Sequence, residues 1–360
     1  MSTAGQPPAA GPAPRPAVDD RGLRTVRLCL LGFGSVARAF CALLAQQERV
    51  LANEHGLHVL VTAAGTRQGC LLAPDGMTPA AVLTAVGERP APPQAARPAD
   101  ELLSAYAADV LVELTVMEED YAPVATGHIE TAFRLGMDVV TANKGPIAWN
   151  WRRVAAAAEA AGRRIRFEST VMDGLPVFSL LELALPDCRL LGFEAVFNAT
   201  TNYIVDAMGI GRSFDEALAH VQVEGYAEAD PSHDIEGWDA ACKAAALANV
   251  AMDAGITPAD IDKQSLRDVP LKRIAQARSN GNRLRLVTTV WRGESGRVRG
   301  RVRATELDID HPLAPVGSES LGAILHTDLM ADVFVCEIAG LVPQTAYGVY
   351  ADLLHLCRSR

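Results

Sequence analysis

No uninterrupted apolar run in the sequence approaches the ~18 residues of a membrane span, although 49% of its 360 residues are hydrophobic. Alanine inflates that share, and no membrane partner is expected. No CxxC pair occurs, and the seven cysteines (29, 41, 70, 188, 242, 336 and 357) are scattered and odd in number. That pattern argues against a zinc knuckle or a disulfide frame and predicts reduced thiols and a cytoplasmic location. Excess positive charge is missing too. Lys+Arg number 33 against 43 Asp+Glu, and a net charge of −10 disfavours nucleic acid and favours a small-molecule substrate. Residues 1–22 lack the apolar core of a secretion signal and, being rich in proline, alanine and glycine, predict a disordered tail over 1–24. No tandem repeat is visible.

What is present suits two domains with a site at their junction. The first run, VRLCLLGFG at 26–34, is apolar without helical period and breaks at glycines, which predicts a buried strand. Further strands are expected at 57–65 and 109–115, with Thr115 ending the latter, and at 138–144, with helices between them. The order implies an α/β fold with a mainly parallel sheet. Residues 74–99 predict a helix with flexible flanks. After an alanine-rich helix near 150 the character changes, and strands are expected at 164–170, 191–198, around 300 and over 332–340, with a closing amphipathic helix. Ser213 followed by Glu216 is a capping box, and Gly225 a helix stop.

GFGSVA at 32–37 follows a strand and opens a helix, the setting in which a GxGxxG/A pattern binds a dinucleotide. Gly32 permits the tight turn, Gly34 lets backbone amides approach a pyrophosphate, and Ala37 keeps the helix close to the sheet, with Phe33, Ser35 and Val36 completing the loop. The second strand ends Ala63, Ala64, Gly65, Thr66, Arg67. No acid stands there to repel a 2′-phosphate and Arg67 suits one, so NADP(H) is favoured over NAD(H).

Residues 224–243 read EGYAEADPSHDIEGWDAACK, six carboxylates and one lysine running into an apolar helix. Asp239 and Lys243, four apart, share a helix face. The functional reading makes Lys243 the proton donor or acceptor of an alcohol, with Glu228, Asp234 and Asp239 holding a cationic amino group. A lysine titrates near ~10.4 unperturbed, so this work near neutrality calls for burial or a second cation, for which Lys144 in TANKGP is the candidate. The alternative is an exposed helical ion pair, which the surrounding alanines and Trp238 disfavour. A calcium loop is excluded because Ile235 falls where its glycine belongs. The pair His55 and His58 continues no metal-ligand pattern.

Five motifs, GFGSVA (32–37), VTANKGP (140–146), FESTVMDGLP (167–176), NATTNYI (198–204) and GYAEADPSHDIEGWDAACKAA (225–245), together resemble homoserine dehydrogenase in order and spacing, over roughly residues 25–357. The resemblance implies a Rossmann domain at 25–150, a substrate and dimerisation domain of α+β type at 151–325, and a segment at 326–360 that returns to the first. It implies NAD(P)H-dependent reduction of aspartate 4-semialdehyde to homoserine, toward threonine, methionine and isoleucine, by a homodimer. Lys243 then matches the catalytic lysine and Lys144 the lysine of the NK motif. Thr200, Tyr226, Glu228, Asp234 and Asp239 match substrate contacts, and Thr115 falls near the nicotinamide. A monovalent cation, Na+ or K+, is implied at Glu168, Val171, Asp173 and Leu175, mostly through backbone carbonyls.

The sequence departs from the family at three of these points. Asp173 replaces a small residue, Ala199 stands where glycine is common, and CEIAGLVPQTA (336–346) keeps only Gly340 of a glycine-rich segment to approach the cofactor. Ala199 and the altered segment motivate a related aldehyde as substrate, and a non-catalytic NADP-binding relative is a third reading. The chain carries no ACT domain after this segment, so threonine feedback through one is not expected.

Overall fold

A computed structural model describes residues 18–118, 121–224 and 230–358, which form two six-stranded sheets. The first is built from β1 (Arg24–Leu31), β2 (Leu57–Gly65), β3 (Cys70–Met77), β4 (Val110–Glu113), β5 (Asp138–Thr141) and β6 (Ile165–Arg166) in the order β3-β2-β1-β4-β5-β6. All its pairings are parallel except β2 with β3, which closes one edge antiparallel. Helices α1 (Ser35–Gln46), α2 (Glu48–His55), α3 (Pro79–Val86), α4 (Ala99–Ala105), α5 (Pro123–Arg134) and α6 (Lys144–Ala161) make the connections. With helices on both faces, strand side chains such as Leu28, Leu30, Leu111, Val112, Val139 and Val140 are wholly buried, and this is why these strands read as unbroken apolar runs. The winding reverses between β1 and β4, leaving a crevice at their carboxyl ends.

The second sheet has the order β12-β11-β7-β9-β10-β8, from β7 (Leu190–Val196), β8 (Ile261–Lys263), β9 (Arg283–Arg292), β10 (Val298–Leu307), β11 (Leu321–Thr327) and β12 (Asp332–Glu337). Its pairings are antiparallel apart from β8 with β10. The associated helices are α7 (Val177–Ser179), α8 (Ala199–Gly209), α9 (Phe214–Val223), α10 (Ser232–Ile235), α11 (Trp238–Met252) and α12 (Leu271–Ser279), and the last helix, α13 (Val342–Arg358), belongs with the first sheet. α11 lies on this sheet and packs against α6 of the first unit. Its alanines 240, 241, 244, 245, 246 and 248 are buried, and side chains this small let two helices and a sheet approach closely around one axis. α13 packs on α1. The capping box forms as expected, Ser213 and Glu216 exchanging bonds at the start of α9.

Several expectations are corrected. Residues 70–77 form the edge strand β3, so only the middle of 74–99 is helical. Thr115 lies beyond β4 rather than in it. The boundary at 150 falls inside α6, and β6 still belongs to the first sheet. Within 326–360, β12 pairs with β11 in the second sheet and α13 alone crosses back. The expected tail overruns its end, because Asp19 already accepts hydrogen bonds from the Arg21 and Leu23 amides. Residues 1–17 and the predicted stop at Gly225 lie outside the described residues. All seven cysteines are free thiols. Among the described residues no helix is long and apolar enough to cross a membrane.

Candidate active site

The glycine turn is fixed by what its neighbours exclude. Gly32 has φ +89°, and a Cβ there would lie 2.2 Å from the Leu114 carbonyl oxygen, so only glycine closes the turn from β1 beneath the end of β4. Gly34 faces open space and begins α1 without a side-chain cap or an acid in its first turn. The α1 amides are therefore available to an anion, and their partial positive charge favours one. Phe33 and Ala37 are buried, anchoring the turn from below. Gly32→Ala is expected to destabilise the first domain by at least ~1–3 kcal/mol from the positive φ alone and to abolish dinucleotide binding. Thermal unfolding with a nicotinamide fluorescence titration measures both, and an unchanged affinity would contradict this account of the turn.

The strand ends beside this turn are tied together by side chains. Asn143 Nδ2 donates to the Thr115 carbonyl and hydroxyl at 3.2 and 3.3 Å, while its Oδ1 caps α6 through the Gly145 amide. The Thr115 hydroxyl also donates to the buried carboxylate of Glu113. Lys144 follows Asn143 and stands at the first position of α6. From there its Nζ crosses to α11 and meets Asp239 Oδ1 at 2.9 Å.

Asp239 is 8% exposed and receives a second lysine, Lys243 Nζ at 3.1 Å from Oδ2. Lys243 also donates to the Phe197 carbonyl at 2.7 Å, and its side chain keeps 16% of its exposure. Asn198 completes the cluster, its Nδ2 donating to Asp234 Oδ1 at 2.7 Å and to Asp239 Oδ2 at 3.0 Å while its Oδ1 caps α8 through the Thr201 amide. Thr200 bonds Asp234 through its side chain.

The two acids respond oppositely to this setting. Burial pushes both carboxyls up, but Lys144, Lys243 and the Asn198 hydrogen bond outweigh it at Asp239 and hold that carboxyl well below the usual range. At Asp234 burial and the neighbouring Asp239 charge prevail over Asn198, Lys243 and Thr200, and the carboxyl is raised. Burial works against the Lys144 ammonium, yet Asp239 more than compensates and its pKa is raised. Lys144 was expected to act on Lys243 as a neighbouring cation. Instead Asp239 lies between the two ammonium groups and binds both.

The structure thus brings together Lys144, Asp239, Lys243, Asp234 and Thr200, and joins them through Asn143 to Thr115 and the Gly32 turn. Tyr226 and Glu228 lie outside the described residues. Arg67 sits exposed just past β2. Gly340 is packed against protein: a Cβ there would meet Asp173 Oδ2 at 2.3 Å and Glu337 Oε2 at 3.4 Å. The Glu337 carboxyl is pushed up to about 7 by burial and by Asp173, against the Gly174 amide and the Lys243 charge. At the 168–175 turn, the Glu168 carboxylate accepts the Phe178 and Ser179 amides at 2.7 and 2.9 Å. Leu175 carbonyl accepts Val177 N–H, and Asp173 has φ +48°. Among the described residues no three His, Cys, Asp or Glu side chains gather as a metal cage, and His58 pairs with Asp19.

Asn198, Asn143 and Glu337 were not foreseen. An Asn before two threonines signals a helix cap, which Asn198 is, but nothing local signals that its amide also reaches across to α11.

Two family models match the chain: one described as homoserine dehydrogenase, NAD binding domain, over residues 32–168, and one described as homoserine dehydrogenase over residues 176–354. The chain is 30% identical to the NAD(+)-dependent homoserine dehydrogenase of Pseudomonas canavaninivorans, over 92% of its own length and 96% of the relative's. It is 31% identical to the homoserine dehydrogenase of Mycobacterium leprae, over 94% and 73%. Among solved structures, a putative homoserine dehydrogenase from Archaeoglobus fulgidus superposes with a TM-score of 0.82 at 27% identity, covering 92% of this chain and 99% of that one. A hyperthermophilic archaeal homoserine dehydrogenase in complex with NADPH gives 0.78 at 26% identity, covering 93% and 98%.

Proposed function

The chain belongs to the homoserine dehydrogenase family, and on that premise we propose that it catalyses the reversible NAD(P)H-dependent reduction of L-aspartate 4-semialdehyde to L-homoserine. The observation that carries this reading is the meeting of Lys144, from the end of β5, with Asp239 and Lys243 on α11, at the crevice beside the Gly32 turn.

When bound, a nicotinamide dinucleotide would supply the hydride. Gly32, Phe33, Gly34, Ser35, Val36 and Ala37 would hold its pyrophosphate on the α1 amides, and Thr115 would contact its nicotinamide end. Lys243 gives a proton to the aldehyde oxygen as the carbonyl carbon is reduced, and takes it back in the reverse direction. Asp239 holds both lysines in place, so that the positive charge facing the developing alkoxide is oriented before the reaction begins. Thr200, Asp234, Tyr226 and Glu228 bind the amino-acid end of the substrate.

NADP(H) is the favoured cofactor, supported by the acid-free end of β2 and by Arg67 beyond it. The relative named for NAD(+) motivates a direct comparison. Arg67→Ala is expected to lower kcat/KM for NADPH about tenfold, the worth of one charge-assisted phosphate contact, and to leave NADH unaffected. Equal loss with both dinucleotides would remove Arg67 from this role. A Na+ or K+ ion is proposed at the carbonyls of Glu168, Val171, Asp173 and Leu175. The Asp173 carboxylate and the buried, unpartnered Glu337 Oε2 beside it suit a cation. Such an ion would stiffen the turn, and no reaction step runs through it. A cytoplasmic homodimer is the proposed state.

The test mixes the purified chain with NADPH or NADH and aspartate semialdehyde and follows nicotinamide absorbance. Rapid oxidation supports the proposal. Oxidation with only other aldehydes transfers the chemistry to a related substrate, as Ala199 would motivate, and dinucleotide binding without turnover sinks the enzymatic reading.

A further inference from the structure

We propose that the second domain carries a separate binding site for a small, multiply charged anion, of the size of a phosphorylated or polycarboxylate metabolite, held by Arg212, Arg278, Arg283 and Arg285. A cavity of about 560 Å³ opens between the carboxyl end of α8, α12, the start of β9 and the 314–318 loop, and these four side chains line it. One acid, Asp206, lines it with them. Arg285 Nη1 donates to Asp206 Oδ1 at 2.6 Å, and this is the cavity's one ion pair among the described residues.

The charge is not balanced from within. The α8 carboxyl end contributes roughly half a negative charge, so together with Asp206 it leaves about two and a half of the four positive charges uncompensated. Glu216, which closes the capping box of α9, also offsets part of the Arg212 charge, and Glu306 accepts from Asn282 at 2.9 Å without lining the cavity, so the excess rests chiefly on Arg278 and Arg283.

Arg285 is 3% exposed and already bonded to Asp206 and to the Leu284 carbonyl, so it anchors the wall of the cavity, while Arg212, Arg278 and Arg283 offer planar guanidinium forks that match the oxygens of phosphate and carboxylate. The site is distinct from the reacting groups. Thr200 stands at the amino end of α8 and Asp206 six residues on, ~9 Å along the helix axis. The anion would therefore not compete with substrate for Lys243 or Asp234.

Isothermal titration of the intact chain with pyrophosphate, inorganic phosphate and citrate tests the proposal, alongside an Arg278→Ala/Arg283→Ala double variant and Gly34→Glu, which blocks the dinucleotide turn. Saturable binding that survives in Gly34→Glu and weakens at least ~10-fold in the double variant is expected. Preference for pyrophosphate or for citrate then separates a phosphorylated ligand from a polycarboxylate. No saturable binding to the native chain, or equal binding by the double variant, overturns it. So does a change of mass by light scattering in the double variant without any anion binding by the native chain, which would give the cavity to a second copy. If the double variant does not fold, selenate soaked into crystals of the native chain decides the matter. Anomalous density among the guanidinium groups supports the site, and density only elsewhere overturns it.

Discussion

Lys243→Ala is expected to lower kcat by ~10²–10⁴-fold, the contribution of a positioned acid or base, while the affinity for NADPH changes little. The side chain is held from two sides, by Asp239 at 3.1 Å and by the Phe197 carbonyl at 2.7 Å, so its ammonium is aimed before substrate arrives. Nothing in the Gly32 turn or at Thr115 depends on it, which is why cofactor binding should survive. Removal leaves the Phe197 carbonyl without that donor, at a cost of ~1–3 kcal/mol, but Lys144 still neutralises Asp239 and the fold should persist. Lys243→Arg separates charge from proton transfer: arginine keeps the cation and does not release a proton, so turnover should stay low. Steady-state kinetics in both directions, with a nicotinamide fluorescence titration and thermal unfolding, read these effects. Near-native kcat in either variant would remove Lys243 from the proton step.

Legibility in the sequence followed the range of each interaction. The path from β1 through the glycine turn into α1 was readable because its causes are local: a run buried on both faces, and glycines at fixed offsets. The Asp239–Lys243 pair was equally readable, since four residues bring side chains together on any α-helix. The residue pattern also offered Asp234 as an acid for the amino group and Lys144 as a second cation, and the resemblance of the five motifs added Thr200, but no local pattern could show that Lys144 meets Asp239, because the two are far apart in the chain. Asn198 escaped because one side chain does two things, capping α8 with its oxygen and joining Asp234 to Asp239 with its nitrogen, and only the first has a local signature. β3 was obscured by Pro74 and Gly76, residues that an edge strand tolerates and a sequence pattern reads as loop. At Gly340 the sequence marks a close approach, and the structure supplies one such neighbour, the Asp173 carboxylate.

Asp239→Asn changes one oxygen for nitrogen at nearly constant volume, yet it should destabilise the protein by ~3–5 kcal/mol at neutral pH, the cost of removing one partner from a buried ion pair. The carboxylate now sits between two ammonium groups, and the amide would leave them facing each other with only the less directly placed Asp234 as an anion. Activity should fall as well, since Lys144 and Lys243 lose the group that positions both. The pH dependence separates this from a packing defect. In the native chain Asp239 has a depressed pKa, so its contribution is present above the unfolded value of ~3.9 and is lost as pH falls toward the folded one. Lys144 has a raised pKa, so its contribution is complete below ~10.4 and is lost as pH rises through the folded value. Between those limits the pair adds no slope. In Asp239→Asn the main cause that raised Lys144 is gone, leaving only the weaker pull of Cys242 and Asp234; burial is then expected to lower its folded pKa below the unfolded one, so that the folded state binds fewer protons than the unfolded. Stability of the variant should therefore rise with pH from neutrality toward ~10, while that of the native chain does not. Chemical denaturation at pH 7 and pH 9.5 measures the difference. A destabilisation equal at both values would mean that the two lysines do not depend on Asp239 for their charge.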